Sequence, residues 1–326
     1  MMMNFRAISA FSLLVSCVCA TCAGAAEKEA KTSIWKVTGK DGGATVLLAG
    51  SIHLLREEDH PLPALFEQAY RQSDELVLEI ASGEDPDSGA KSLRRGMYGR
   101  EGKISEDLTP ETYARLRKFL TDTGLPAEAM DGFRPWLAAM TLSVTEMMKI
   151  GARPELGVDT YFENKALRDH KPVRGLETTE FQIGIFAGME KDTQEKMLLS
   201  TLREMATIED DFPRMAEAWR TGEEEVVGKI ILESMDAVPG LRRDVLDRRN
   251  QRWVKQISAF MKGDKTFMVV VGNGHMVGKK GLLKLFQRKG FRVERWHGER
   301  REKPKKKTRR FIPVGMNPKV PTLPCS

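Results

Sequence analysis

Cysteine is nearly absent from this 326-residue chain. Cys17, Cys19 and Cys22 crowd its first segment and Cys325 stands next to last. The body of the protein therefore has no disulfide framework, and it has no cysteine knuckle with which to build a zinc site. Histidine is almost as scarce, with five residues, and no His-Glu-x-x-His pair occurs. Long apolar runs are missing too. The longest early stretch, Ala7 to Val18, is shorter than the ~20 residues a membrane-spanning helix needs. Nor does the body carry an excess of charge. The net charge is +6, but residues 297–326 hold nine Lys or Arg against Glu299 and Glu302, so the tail carries +7 and the rest −1. With no nucleic-acid-reading module, that distribution argues against a nucleic-acid partner.

The N-terminus has the layout of a secretory signal peptide over residues 1–25, with Arg6, the apolar stretch and Ala23-Gly24-Ala25. Leu14-Val15-Ser16-Cys17 offers a second reading, a lipoprotein leader ending before Cys17, which would then carry the lipid anchor. Both readings take the mature protein out of the cytoplasm, to a secreted or periplasmic location. The basic tail, residues 298–326, is expected to be a disordered appendage able to touch a membrane surface.

Between leader and tail, about 300 residues suffice for a large core. Ser33–Val37 and Thr45–Ala49, separated by a glycine-rich turn, predict a β-hairpin. A helix is expected over Pro63–Gln72 and a buried strand over Glu75–Ile80, with the strands from Thr45 and Glu75 pairing in parallel. Residues 81–102 are glycine-rich and charged, which predicts a mobile loop near the site. Thr109-Pro110-Glu111 marks a helix start. Phe133–Ile150 is an apolar helix whose Met147 and Met148 are expected to fill core space. Asp159 is expected to cap or abut a helix running to Arg168 rather than to take a direct role, and Lys171–Glu177 to form a short strand. Glu180–Lys262 reads as helical with breaks near Pro213 and Pro239. Phe267–Val271, Gly281–Gln287 and Phe291–Arg295 then give strand, helix and strand. The fold class is α/β (α+β), with a central mixed sheet from two related strand-loop-helix halves and a largely helical middle.

Two of the five histidines share one local setting. Gly50-Ser51-Ile52-His53 and Gly272-Asn273-Gly274-His275 each follow a short apolar strand, at the carboxyl end where α/β proteins place chemistry. Glu79 and Glu177 also end strands. Imidazoles and carboxylates together are common ligands for a divalent ion such as manganese, cobalt or zinc, and a carboxylate off the metal can serve as a general base. His53, His275 and Glu79 are the candidate metal ligands, and Glu79 and Glu177 the candidate catalytic carboxylates. Arg249 and Asn250, on a helical stretch, are candidates to bind a substrate carboxylate or stabilise an oxyanion. Read from the residues alone, a role in satisfying loop backbone groups stays open for both histidines as the alternative. His60, His170 and His297 have no such setting.

From Trp35 to Trp296 the chain resembles the TraB/GumN family (TraB/PrgY/GumN), related to the Tiki metalloproteases. The residues carrying the resemblance are Leu48–His53, Leu76–Glu79, Leu156–Asp159, Gly175–Thr178, Arg248-Arg249-Asn250 with Trp253, and Val270–Gly278 leading into Gly281-Leu282-Leu283. Asn273 and Met276 depart from the family's usual small or leucine residues. The resemblance implies two related halves whose Gly-x-x-His motifs converge with glutamates. By way of the Tiki branch it also implies metal-dependent cleavage of peptide bonds, with a peptide or protein substrate. A non-catalytic protein that binds an envelope peptide or ligand in the same cleft is the alternative on the same fold.

Overall fold

A computed structural model describes residues 31–39, 42–81, 87–100 and 102–298. The expected leader, with Cys17, and the tail from 299 onward lie outside the described residues.

The chain opens as the expected hairpin, β1 (Ile34–Thr38) and β2 (Thr45–Ser51), paired antiparallel with Trp35 opposite Leu48. Helix α1 (Ala64–Gln72) leads to β3 (Glu75–Leu78). The segment expected to be a mobile loop contains a helix instead, α2 (Ser88–Gly96), and residues 82–86 lie outside the described residues. Helix α3 (Pro110–Asp122) starts as its sequence predicts, with the Thr109 hydroxyl accepting from the Thr112 N–H. Helices α4 (Pro135–Lys149) and α5 (Val158–Arg168) lead to β4 (Val173–Gly175). The helical middle comprises α6 (Thr179–Ala187), α7 (Lys191–Glu204), α8 (Ile208–Arg220), α9 (Glu224–Asp236) and α10 (Arg248–Phe260). The chain closes with β5 (Thr266–Gly272), α11 (Leu282–Arg288) and β6 (Arg292–Arg295).

The strands form one sheet in the order β4-β3-β5-β2-β1-β6. Strands β4, β3, β5 and β2 are parallel, whereas β1 is antiparallel to both β2 and β6. The direct pairing of β2 with β3 predicted by the sequence does not occur, because β5, from the far end of the chain, lies between them. That insertion positions the site. Gly50 stands opposite Val271 and Ser51 opposite Gly272, so the two Gly-x-x-His motifs leave the same end of adjacent strands.

Both faces of the sheet are covered, which explains why its strands read as continuous apolar runs. Along β2, Leu47 and Ala49 enter a core with Phe66, Phe162 and Trp219, while Val46 and Leu48 enter another with Trp253, Leu282 and Phe286. Each fully buried Leu or Phe of this kind contributes roughly 1.5–3 kcal/mol.

Two further details differ from the sequence reading. Pro213 lies inside α8, and the helical break falls before it, at Met205–Thr207. Proline forfeits its own N–H bond and crowds the carbonyl four residues back, yet α8 continues through it. On α4, Trp136 and Leu142 are buried, but Val144 and Met148 are exposed. The apolar surface of this helix is wider than the core it meets.

Candidate functional site

The second motif turns directly from β5 into a single 3-10 turn, Asn273–His275, which buries His275. Its imidazole lies against Trp253, ring centroids 4.3 Å apart. Asn250 determines its tautomer. The Asn250 amide nitrogen donates to the backbone carbonyls of His275 (3.3 Å) and Lys280 (3.0 Å), which leaves Oδ1 to accept from His275 Nδ1–H at 2.7 Å. Nε2 is then the lone-pair nitrogen, and Arg249 Nη1 donates to it at 3.2 Å. Burial disfavours the charged ring and, with the nearby Arg249 and His53, outweighs the pull of Glu79. The pKa of His275 falls to about 3 and the ring is neutral.

His53 occupies a different environment. The loop after β2 packs on the start of α5, where the Val158 N–H donates to the Ile52 carbonyl at 3.1 Å. Gly157 is required for that approach, since a Cβ there would stand 2.1 Å from the His53 carbonyl oxygen. Asp159, two residues after Gly157, accepts from His53 Nδ1 at 3.1 Å. The sequence favours a place at the helix start for Asp159 over a direct role, and the structure gives it both, at the start of α5 and as the partner of a motif histidine. Its sequence signals are its place two residues after Gly157 and within the block Leu156–Asp159 that carries the family resemblance. About half of the His53 side chain is open to solvent. Crowding of its inner side opposes the charged form, but the Asp159 charge and hydrogen bond, with Glu79, prevail and raise its pKa to about 9.

Glu79 joins the two histidines. Its Oε1 accepts the Gly272 N–H at 2.7 Å and lies 3.7 Å from His275 Nε2. Its Oε2 accepts from Gln182 at 3.2 Å and from Arg249 Nη2. Burial would favour the neutral acid, but His275, Arg249, His53 and the Gly272 N–H outweigh it and hold the carboxyl at about 2. Glu177 belongs to the same network without reaching a histidine. It takes Arg249 Nε at 2.8 Å and Arg252 Nη2 at 2.7 Å.

Arg249 is not disposed as the sequence reading expected. It is 5% exposed, stacked over Trp253 at 4.6 Å and bonded to both glutamates, to His275 and to the Val245 carbonyl. The preceding turn, Arg243–Asp247, is a π-helical segment, and the Arg249 guanidinium takes up one of its carbonyls. A cation committed to this many partners is an internal counter-charge. Asn250, also buried, orients His275 and touches no open space.

The donors meet beside Gly272. A Cβ built there would lie 3.1 Å from His53 Nε2, 3.3 Å from Glu79 Oε1 and 3.7 Å from His275 Cδ2. The missing side chain leaves a cradle flanked by two imidazoles and a carboxylate, a donor set that suits a divalent transition ion. Among the described residues no three His, Cys, Asp or Glu side chains already stand in ligand geometry. The hydrogen bond from Arg249 to His275 Nε2 uses the lone pair a metal would take. The cradle adjoins a pocket of about 380 Å³ lined by Ser51, His53, Glu79, Val144, Asp159 and Gln182, among others.

The described chain matches the model of the TraB/PrgY/gumN family over residues 33–295. It is similar to YbaP of Escherichia coli (strain K12), named as an uncharacterized protein, with 23% identity over 242 residues covering 74% of this chain and 87% of the relative. YbaP of Shigella flexneri gives the same identity and coverage. No solved structure matches the chain significantly. With the family pattern spanning hairpin, site and final strand, the chain belongs to the TraB/PrgY/gumN family.

Proposed function

We propose that this chain is a secreted or periplasmic metal-dependent hydrolase, acting on peptide bonds, with His53, Glu79 and His275 as the residues that hold the ion. The observation that supports this reading is the convergence of all three on the cradle beside Gly272. A divalent ion there would supply Lewis acidity toward a carbonyl oxygen and activate a water molecule.

The chain's own residues carry the rest. Asp159 accepts from Nδ1 of His53 and leaves Nε2 turned toward the cradle, and Asn250 accepts from Nδ1 of His275 and fixes the same tautomer there. Glu79, ionised at neutral pH, carries its carboxylate between the two rings: on the ion it is the third ligand, and off it the group placed to take a proton from a nucleophile entering the pocket. Arg249 and Glu177 brace Glu79 from behind and fix its charge.

A second reading, a non-catalytic protein binding a peptide or envelope ligand in this pocket, is favoured by one observation. Arg249 already occupies His275 Nε2. Metal analysis of untagged protein, with peptide profiling in added manganese, cobalt or zinc, separates the two. The hydrolase reading expects bound metal and cleavage products that both disappear in His53→Ala and His275→Ala. Ligand binding that survives both substitutions and chelation, with no product formed, would overturn it.

A further inference from the structure

A groove of about 650 Å³ runs between α9 and α11, with Met276 and Val277 directly after the second motif among its lining residues. It shares no lining residue with the pocket at His53. Its size falls within the range of small-molecule sites. Leu232, Met276, Val277 and Leu283 give it an apolar interior, with Trp35 beside them. The Trp35 indole N–H is buried and has no hydrogen-bond partner.

The charges around the groove are not balanced. Glu224 is already committed to Arg295, which also lies over the Trp35 ring at 4.6 Å. Lys229 is 3.9 Å from Glu233. Lys279, Lys284 and Arg288 make no ion pair among the described residues, and Lys284 and Arg288, four apart on α11, share one helix face. Only Glu225 remains as an uncommitted carboxylate to set against these three cations.

An occupant must therefore combine an apolar body with negative charge. A peptide would bring backbone N–H and C=O groups that need partners. The groove is walled mainly by helices and offers no ladder of strand-edge groups. Its one residue from edge strand β6 is Arg295. An acyl chain has no such requirement. The chain's own tail, rich in Lys and Arg, has the wrong sign.

We propose that this groove is a second binding site, for a single-chain amphiphile with an anionic headgroup. The acyl chain lies along Leu232, Val277 and Leu283, and the carboxylate or phosphate sits among Lys279, Lys284 and Arg288. The site is independent of any catalysis at His53 and His275.

Isothermal titration of the full chain with dodecanoate, lysophosphatidylglycerol and dodecanol, each below its micelle-forming concentration, tests it. Binding of either anionic ligand at least about tenfold tighter than dodecanol is expected, with that preference lost in Lys284→Glu/Arg288→Glu. Preference for dodecanoate identifies a fatty acid as the source, and preference for the lysophospholipid identifies a lipid headgroup. The two substitutions are on exposed positions, and circular dichroism of the variant checks that the fold is kept. Leu283→Asp should weaken both anionic ligands. The proposal is overturned if no anionic ligand binds, if dodecanol binds equally well, if charge reversal leaves the affinities unchanged, or if an acidic peptide without an acyl chain displaces dodecanoate.

Discussion

Arg249 donates through Nη1 to Nε2 of His275 at 3.2 Å, taking the one lone pair that imidazole has left after Asn250 fixes its tautomer. The same guanidinium binds Glu79 and Glu177, so one buried cation serves two buried carboxylates and a motif histidine.

The first expected outcome concerns that cation. In Arg249→Ala, Glu79 and Glu177 stay buried, with side chains 12% and 5% exposed, but lose their shared counter-charge. Breaking a buried pair in this way costs about 3–5 kcal/mol. Urea unfolding should show that loss, and Glu177→Gln in the Arg249→Ala background should recover part of it. A loss below about 1 kcal/mol would mean that Arg249 is not the counter-charge described here.

A second outcome concerns metal uptake and pH. His53 keeps its proton up to about pH 9, and a metal ion must displace that proton. Apparent manganese affinity should therefore rise by roughly tenfold per pH unit through the neutral range and level off above about pH 9. In Asp159→Asn the hydrogen bond can persist while the charge is gone, so the plateau should begin at lower pH. Its height should drop by about 10–100-fold, the usual effect of losing a group that orients a ligand. Competition titrations over a pH series give both quantities, and identical profiles for the two proteins would refute the coupling.

How far this was legible beforehand depended on the distance over which each feature is determined. The hairpin, the Thr109 cap and both Gly-x-x-His turns follow from local pattern, and the structure has them where the sequence puts them. The insertion of β5 between β2 and β3 is a pairing of distant segments that no local period encodes. For Asp159 the sequence favours the helix start over a direct role, because aspartate there has a sufficient local explanation. Its bond to His53 spans 106 residues and depends on Gly157 letting two backbones touch. Arg249 looked like a substrate-facing residue by its chemistry alone. Its place on the buried face of α10, one turn before Trp253, was the available sign that it points inward.

Acid should destabilise the metal-free protein through two groups acting in the same direction. His275 titrates at about 3 in the fold against an ordinary 6.5, and Glu79 at about 2 against 4.5. Each folded-state value lies below its unfolded counterpart, so below pH 6.5 the unfolded chain binds more protons and stability falls with pH. The His275 contribution is lost from pH 6.5 down to about 3, and that of Glu79 from 4.5 down to about 2. His53 acts in the opposite direction, its contribution being complete below 6.5 and lost as pH rises through about 9. Chemical denaturation across this range should find a maximum near neutrality. His275→Gln should flatten the slope between pH 6.5 and 4.5, and an unchanged slope would show that His275 is not the titrating group.

Gly272 gives the most selective test of the cradle. Its φ is −49°, a conformation any L-residue adopts, so alanine introduces no backbone strain. The added methyl would stand 3.1 Å from His53 Nε2 and 3.3 Å from Glu79 Oε1, both of them side-chain atoms able to yield slightly. Gly272→Ala should therefore fold with a change within about 1 kcal/mol, while the space between the three donors is filled. If the cradle holds a metal ion, equilibrium dialysis should show uptake falling to the level of His275→Ala although the unfolding midpoint is nearly kept. Normal uptake in a well-folded Gly272→Ala protein would move the ion, and with it the chemistry, away from this point.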